Sequence, residues 1–178
     1  MLRQLIACST IVTTVALAGC SEAAPDPAAT SRTPDPDVMV TVGAADDTSW
    51  DYCMRPGRVL LIRSLRVDGG TATFGEPVFN SDGGAITPNV SWAPVQTPVD
   101  GYLLTGARPA DAEVEKDVAW AARKPLEGAA LADGDYALFV QARVRPGTAL
   151  RDGSLTWTAG EDEGTATTPW HVRFEETC

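Results

Sequence analysis

A single histidine and only two lysines, Lys116 and Lys124, leave this 178-residue chain with few of the groups that enzymes and nucleic-acid binders rely on. General acid–base catalysis most often enlists histidine, and His171 falls on the polar side of a late alternating run, where it reads as a surface residue. With so few histidines and cysteines, a zinc centre lacks ligands, and no metal or cofactor is expected. Positive charge is also scarce: 14 Lys and Arg stand against 24 Asp and Glu, a formal net charge of -10. A field of that sign repels long phosphate polymers, so nucleic acid is not an expected partner. There is no Gly-x-Ser-x-Gly elbow, and neither lysine follows a serine by three residues. The tandem glycines Gly69-Gly70 and Gly83-Gly84 follow Asp68 and Asp82 without a Gly-Lys-Ser/Thr, which is turn composition rather than a phosphate loop. No apolar run reaches the about 20 residues a membrane-spanning helix needs.

The N-terminus is the most informative stretch. Arg3 supplies one positive charge, residues 5–17 form an uncharged and mostly apolar run, and Ala18, Gly19 and Cys20 come next. That is a secretory signal layout. Leu17-Ala18-Gly19-Cys20 resembles the lipobox of bacterial lipoproteins, in which a dedicated signal peptidase cuts ahead of a cysteine that already carries diacylglycerol. The resemblance implies that residues 1–19 are a signal peptide and that Cys20 is the lipid attachment site. It also implies localisation at the extracytoplasmic face of the cell membrane, anchored by acyl chains such as palmitate without spanning the bilayer.

Residues 20–37 read as a lipidated cysteine and a disordered linker, because a Pro/Ala/Asp-rich stretch without large apolar side chains cannot offset chain entropy. Extended at ~3.1 Å per residue, the linker reaches at most about 50 Å. Residues 38–178 read as a single domain.

From residue 38 onward, short alternating runs are separated by Gly, Pro and Asp clusters about every ten residues, the pattern of an all-β sandwich or barrel. Residues 59–67 are apolar on both faces at their start, as suits a central strand. In residues 136–144, Tyr136, Leu138, Val140, Ala142 and Val144 share a packed face, and Gln141, Arg143 and Arg145 lie on the other, read as wet. Residues 154–159 and 170–175 form a hairpin with an acidic tip at Glu161, Asp162 and Glu163, placing Trp157 and Trp170 in the core. Residues 71–79 and 102–105 are weaker strand candidates. Residues 113–122 are open between a helix capped by Asp111, with Val114 and Val118 on its stripe, and a strand on which Val118, Trp120 and Ala122 alternate.

The turn and strand at residues 131–144, with Gly134, Tyr136 and Val140 at their spacing, resemble the immunoglobulin-like sandwiches, where a tyrosine near the start of a late strand bonds back to the backbone. Leu138 stands where antibody-type domains carry a cysteine. The resemblance implies an immunoglobulin-like β-sandwich of about seven to nine strands. The layout as a whole is similar to small uncharacterised lipoproteins of high-GC Gram-positive bacteria, which implies no particular activity.

Once the leader is removed and Cys20 is lipidated, Cys53 and Cys178 are the thiols that remain in an oxidising compartment, so a Cys53–Cys178 disulfide is expected. The acidic groups Asp46, Asp47 and Asp51, and the tip at Glu161 to Glu163, lack the spacing of a calcium loop. Trp50, Tyr52 and Trp92 are the candidate ligand-binding aromatics. No catalytic residue is assigned. The expected role is a non-catalytic binding or interaction domain of the cell envelope, engaging an envelope protein or wall polymer. The alternatives are a cell-wall glycan-binding module and an envelope hydrolase using an Asp/Glu pair about 5–10 Å apart. The sequence carries no signal for oligomeric state.

Overall fold

The computed structural model describes residues 37–43, 52–83, 86–99, 101–109 and 111–178. Cys20, the leader, nearly all of the linker, Trp50 and Asp46, Asp47 and Asp51 lie outside the described residues. In chain order the elements are β1 (Met39–Val42), β2 (Tyr52–Met54), β3 (Gly57–Asp68), β4 (Ala72–Phe74), β5 (Val78–Asp82), β6 (Asn89–Pro94), β7 (Tyr102–Thr105), α1 (Ala112–Asp117), a 3-10 turn at Trp120–Ala122, β8 (Lys124–Pro125), β9 (Ala130–Leu131), β10 (Gly134–Val144), β11 (Thr148–Ala159) and β12 (Asp162–Phe174).

The strands form two six-stranded sheets packed as an all-β sandwich. The first runs β1-β3-β10-β6-β8, with β7 beside β1 along the same edge of β3; the second runs β2-β12-β11-β4-β9, with β5 also on β11. Pairing is antiparallel except between β2 and β12. Strand segments outnumber the seven to nine expected because β3 and β11 each carry two short partners along one edge, and because β8 and β9 are two-residue pairings.

Alternation explains the core. Val59, Leu61, Leu65 and Val67 of β3 and Tyr136, Leu138, Val140 and Val144 of β10 meet Leu155, Trp157, Trp170, Val172 and Phe174 of the second sheet. Each large apolar side chain removed from water there contributes about 1.5–3 kcal/mol. Arg63 occupies an inward position of the same face and is 2% exposed. Its guanidinium stacks over the Trp170 ring at 5.2 Å and Nη2 donates to the Pro169 carbonyl at 3.5 Å.

The outer face of the first sheet departs from the wet face expected of residues 136–144. Ala137 and Phe139 are buried there with Leu60, Ile62 and Ala93 in a second apolar cluster, sealed by Val118 and Trp120. The seal resolves the ambiguity of residues 113–122. Asp111 caps α1, its carboxylate accepting from the Glu113 amide at 2.6 Å, and Val118 comes directly after the helix. Ala119 then turns through the left-handed region (φ 51°) into the 3-10 turn that lays Trp120 edge-on against Phe139, ring centroids 5.1 Å apart. Beyond Phe139 this face of β10 opens, at Gln141 and Arg143.

The tyrosine contact implied by the immunoglobulin-like resemblance is made: Tyr136 Oη donates to the Ala132 carbonyl at 2.8 Å. The Cys53–Cys178 disulfide is also present, with Cα atoms 5.6 Å apart, tying β2 to the C-terminus.

Candidate functional site

The aromatics singled out in the sequence do not converge. Trp50 lies outside the described residues. Tyr52 is exposed on β2 at the sheet edge. Trp92 is half-buried and committed to the fold: its ring stands edge-on to Tyr136 at 5.3 Å, and its indole nitrogen donates to the Pro125 carbonyl at 3.1 Å. The Lys124 ammonium sits 5.8 Å from the centroid of the same ring. Trp120, Trp157 and Trp170 are buried, as core positions should be. His171 points to water from the outer face of β12.

Carboxylates are dispersed. None of the described ones is fully buried, and five surface grooves hold at most one each: Glu163 in one, Asp117 in another, none in the rest. Several are engaged with arginine. Arg66 bonds Asp68 at 2.8 Å and reaches Asp135 at 3.4 Å, and Arg151 is hydrogen-bonded to Asp82, holding that exposed carboxyl below the ordinary aspartate range. Among the described residues no group of three His, Cys, Asp or Glu is placed to hold a metal ion.

What the fold does assemble is an open hydroxyl-rich face on the second sheet. Three Thr-x-Thr or Ser-x-Thr runs enter it on adjacent strands: Thr71 and Thr73 at β4, Ser154, Thr156 and Thr158 on β11, Thr165 and Thr167 on β12. Register aligns them across the sheet, pairing Thr73 with Thr158, Thr156 with Thr165 and Ser154 with Thr167. Each hydroxyl can both donate and accept. None of these side-chain hydroxyls is bonded to another described residue.

A groove of about 570 Å³ runs along this face between Thr73, Gly75, Thr156, Thr158, Glu163 and Thr165. Gly75 keeps it open, since a Cβ there would fall 2.6 Å from Thr156 Oγ1. A bulge between Leu150 and Asp152 ends the hydroxyl band, and beyond it the surface turns to the pairs Asn80–Asp152 and Arg151–Asp82. The band is visible in the sequence as repeated Thr-x-Thr on strand-period runs, but outward threonines are also the ordinary choice of an exposed strand.

No protein-family model and no curated protein matches this chain.

Proposed function

We propose that the chain is a lipid-anchored lipoprotein of the cell envelope, held at the extracytoplasmic face of the membrane through Cys20. Its sandwich is then a non-catalytic binding domain whose ligand surface is the threonine face of the second sheet. The observation that carries this reading is the contrast between the two outer faces. The first sheet spends a helix and a 3-10 turn covering much of its outer face, whereas the second leaves a register-aligned row of hydroxyls uncovered.

Uncharged hydroxyls at strand spacing suit a polyhydroxylated wall polymer. Hydroxyls that donate and accept can match those of sugars, and threonine methyls supply apolar contact for pyranose C–H faces. A linker reaching at most about 50 Å supports an encounter close to the membrane.

Co-sedimentation of the intact chain with purified cell-wall polysaccharide is the test. Binding is expected, and Thr156→Lys or Thr165→Lys should abolish it while leaving the melting temperature close to that of the parent. Failure of the parent to bind, or equal binding by both variants, overturns the assignment of this face.

A further inference from the structure

Arg58 of β3 and Arg143 of β10 are direct cross-strand partners on the outer face of the first sheet. Side chains so paired have Cβ atoms about 4.5–5.5 Å apart, and like charges in that position are destabilising. Acidic groups outnumber basic ones 24 to 14 in the sequence, yet neither guanidinium is in an ion pair among the described residues. Most of the other described arginines are matched. Arg66, Arg108 and Arg151 have carboxylates, while Arg63 and Arg123 lie over the rings of Trp170 and Trp120. Arg55 and Arg145, also without an ion pair among the described residues, sit at the same end of the sandwich, just before β3 and just after β10.

The pair lines a groove of about 360 Å³ together with Asn89, Gln141, Thr87 and Ala107. Asn89 and Gln141 are themselves register partners on β6 and β10, so amide groups flank the guanidiniums along the sheet. The opposite wall is the chain after β7. It is pinned to the same strands where the Gly106 amide donates to the Arg58 carbonyl at 2.7 Å and Gln141 Nε2 donates to the Ala107 carbonyl at 2.6 Å.

We propose that this groove binds a phosphate monoester or inorganic phosphate. A carboxylate offers two oxygens and one charge, which leaves the arginine pair half neutralised. A phosphate with three free oxygens and a charge of about -1.5 to -2 at neutral pH can take forked bonds from both guanidiniums and offset both charges. The site lies on the opposite outer surface from the threonine face and does not depend on it.

Calorimetric titration of the intact chain in neutral detergent with inorganic phosphate and with phenyl phosphate, at matched ionic strength, tests the proposal. Both should bind. Arg58→Gln and Arg143→Gln should each weaken binding at least about tenfold, and Arg143→Lys, which keeps the charge and loses the fork, should fall between. Binding of phenyl phosphate should weaken as pH drops below about 6, where the monoester dianion is protonated. Both glutamine variants should melt at or above the parent's temperature, because a repulsion is removed.

A second arm places the chain in nanodiscs of phosphatidylcholine with or without phosphatidic acid. Competition with phenyl phosphate when phosphatidic acid is present assigns the phosphate to a lipid headgroup. Its absence, with the solution binding intact, assigns it to a soluble or polymer-borne ester. No binding of either phosphate at millimolar concentration, or binding indifferent to both arginines, overturns the site.

Discussion

Trp157 of β11 and Gly164 of β12 are register partners across the last hairpin, and the indole occupies the space a side chain at residue 164 would need. A Cβ built on Gly164 would fall 2.3 Å from Trp157 Cζ2 and 2.5 Å from Cε2. Both atoms belong to a rigid ring that is itself buried against the core, so the ring cannot yield without disturbing its neighbours. Gly164→Ala is therefore expected to destabilise the domain by about 1–3 kcal/mol, the usual cost of overpacking. Gly160→Ala at the open tip serves as the control: it meets nothing within 4 Å, and its cost comes only from its left-handed backbone (φ 63°). Chemical denaturation of the two variants checks the ordering, and an unperturbed Gly164→Ala protein would refute the close approach.

The Cys53–Cys178 bridge joins residues 125 apart in sequence and holds both an edge strand and the chain end. In the chain-entropy account, closing a loop of that length removes about 5 kcal/mol of freedom from the unfolded state. Cys53→Ser/Cys178→Ser should lower the denaturation midpoint accordingly. It should also raise hydrogen exchange at Glu175, whose amide donates to the Met54 carbonyl at 2.9 Å beside the bridge. A midpoint unchanged between reduced and oxidised protein would show that the bridge does not stabilise the fold.

Period-two alternation made the inner faces legible, because it depends only on which side chains share a side of a strand. Leu138, Val140, Trp157, Trp170 and Phe174 lie where that rule puts them. The rule says nothing about what covers the reverse side. Ala137 and Phe139 look like breaks in an outward polar row, and their burial depends on Val118 and Trp120, which arrive from a helix and turn well before β10 in the chain. For the same reason Trp92, between Pro88 and Pro94, reads in the sequence as a candidate ligand-binding aromatic, although its partners are Tyr136 and the Pro125 carbonyl. The Arg58–Arg143 pair was invisible for a related reason: it exists only once β3 and β10 are set in register.

Tyr136 couples that core to pH. Its hydroxyl donates to the Ala132 carbonyl, and burial together with the Asp133 charge raises its pKa above the ordinary tyrosine value. A raised folded-state pKa means the fold prefers the protonated phenol. The associated stability is fully present below the unfolded tyrosine pKa of about 10 and is lost as pH rises through the folded value. Tyr136→Phe removes one hydrogen bond and should cost about 1 kcal/mol at neutral pH. It should also flatten the alkaline limb of the stability profile. Parallel profiles for parent and variant above about pH 9 would show that this phenol is not the group responsible.

Trp120 seals the second cluster, and its ring is itself covered by the Arg123 guanidinium 4.0 Å from the centroid. Trp120→Ala is expected to cost about 3–5 kcal/mol, as for other buried aromatic truncations. The loss should expose Phe139 and Ile62 on the first sheet while leaving the inter-sheet core paired. Binding of a hydrophobic dye at temperatures below unfolding reports that exposure. A variant as stable and as dye-silent as the parent would mean that the helix and turn cover the sheet without stabilising it.

The proposed anchor makes its own prediction, independent of the sandwich. Each buried methylene is worth about 0.8 kcal/mol, one acyl chain holds a protein only marginally, and two or more hold it stably. If Cys20 carries diacylglycerol, removing the thiol removes every chain at once, and nothing else in the sequence is long and apolar enough to replace them as a spanning helix. Cys20→Ala expressed in a bacterial host is therefore expected to lose palmitate label and to leave the membrane fraction, whereas Cys53→Ser/Cys178→Ser should retain both. The comparison separates lipidation from bridging, since both substitutions remove cysteine but only one removes the anchor. Equal labelling of parent and Cys20→Ala protein would end the lipoprotein reading while leaving the fold and the arginine groove untouched.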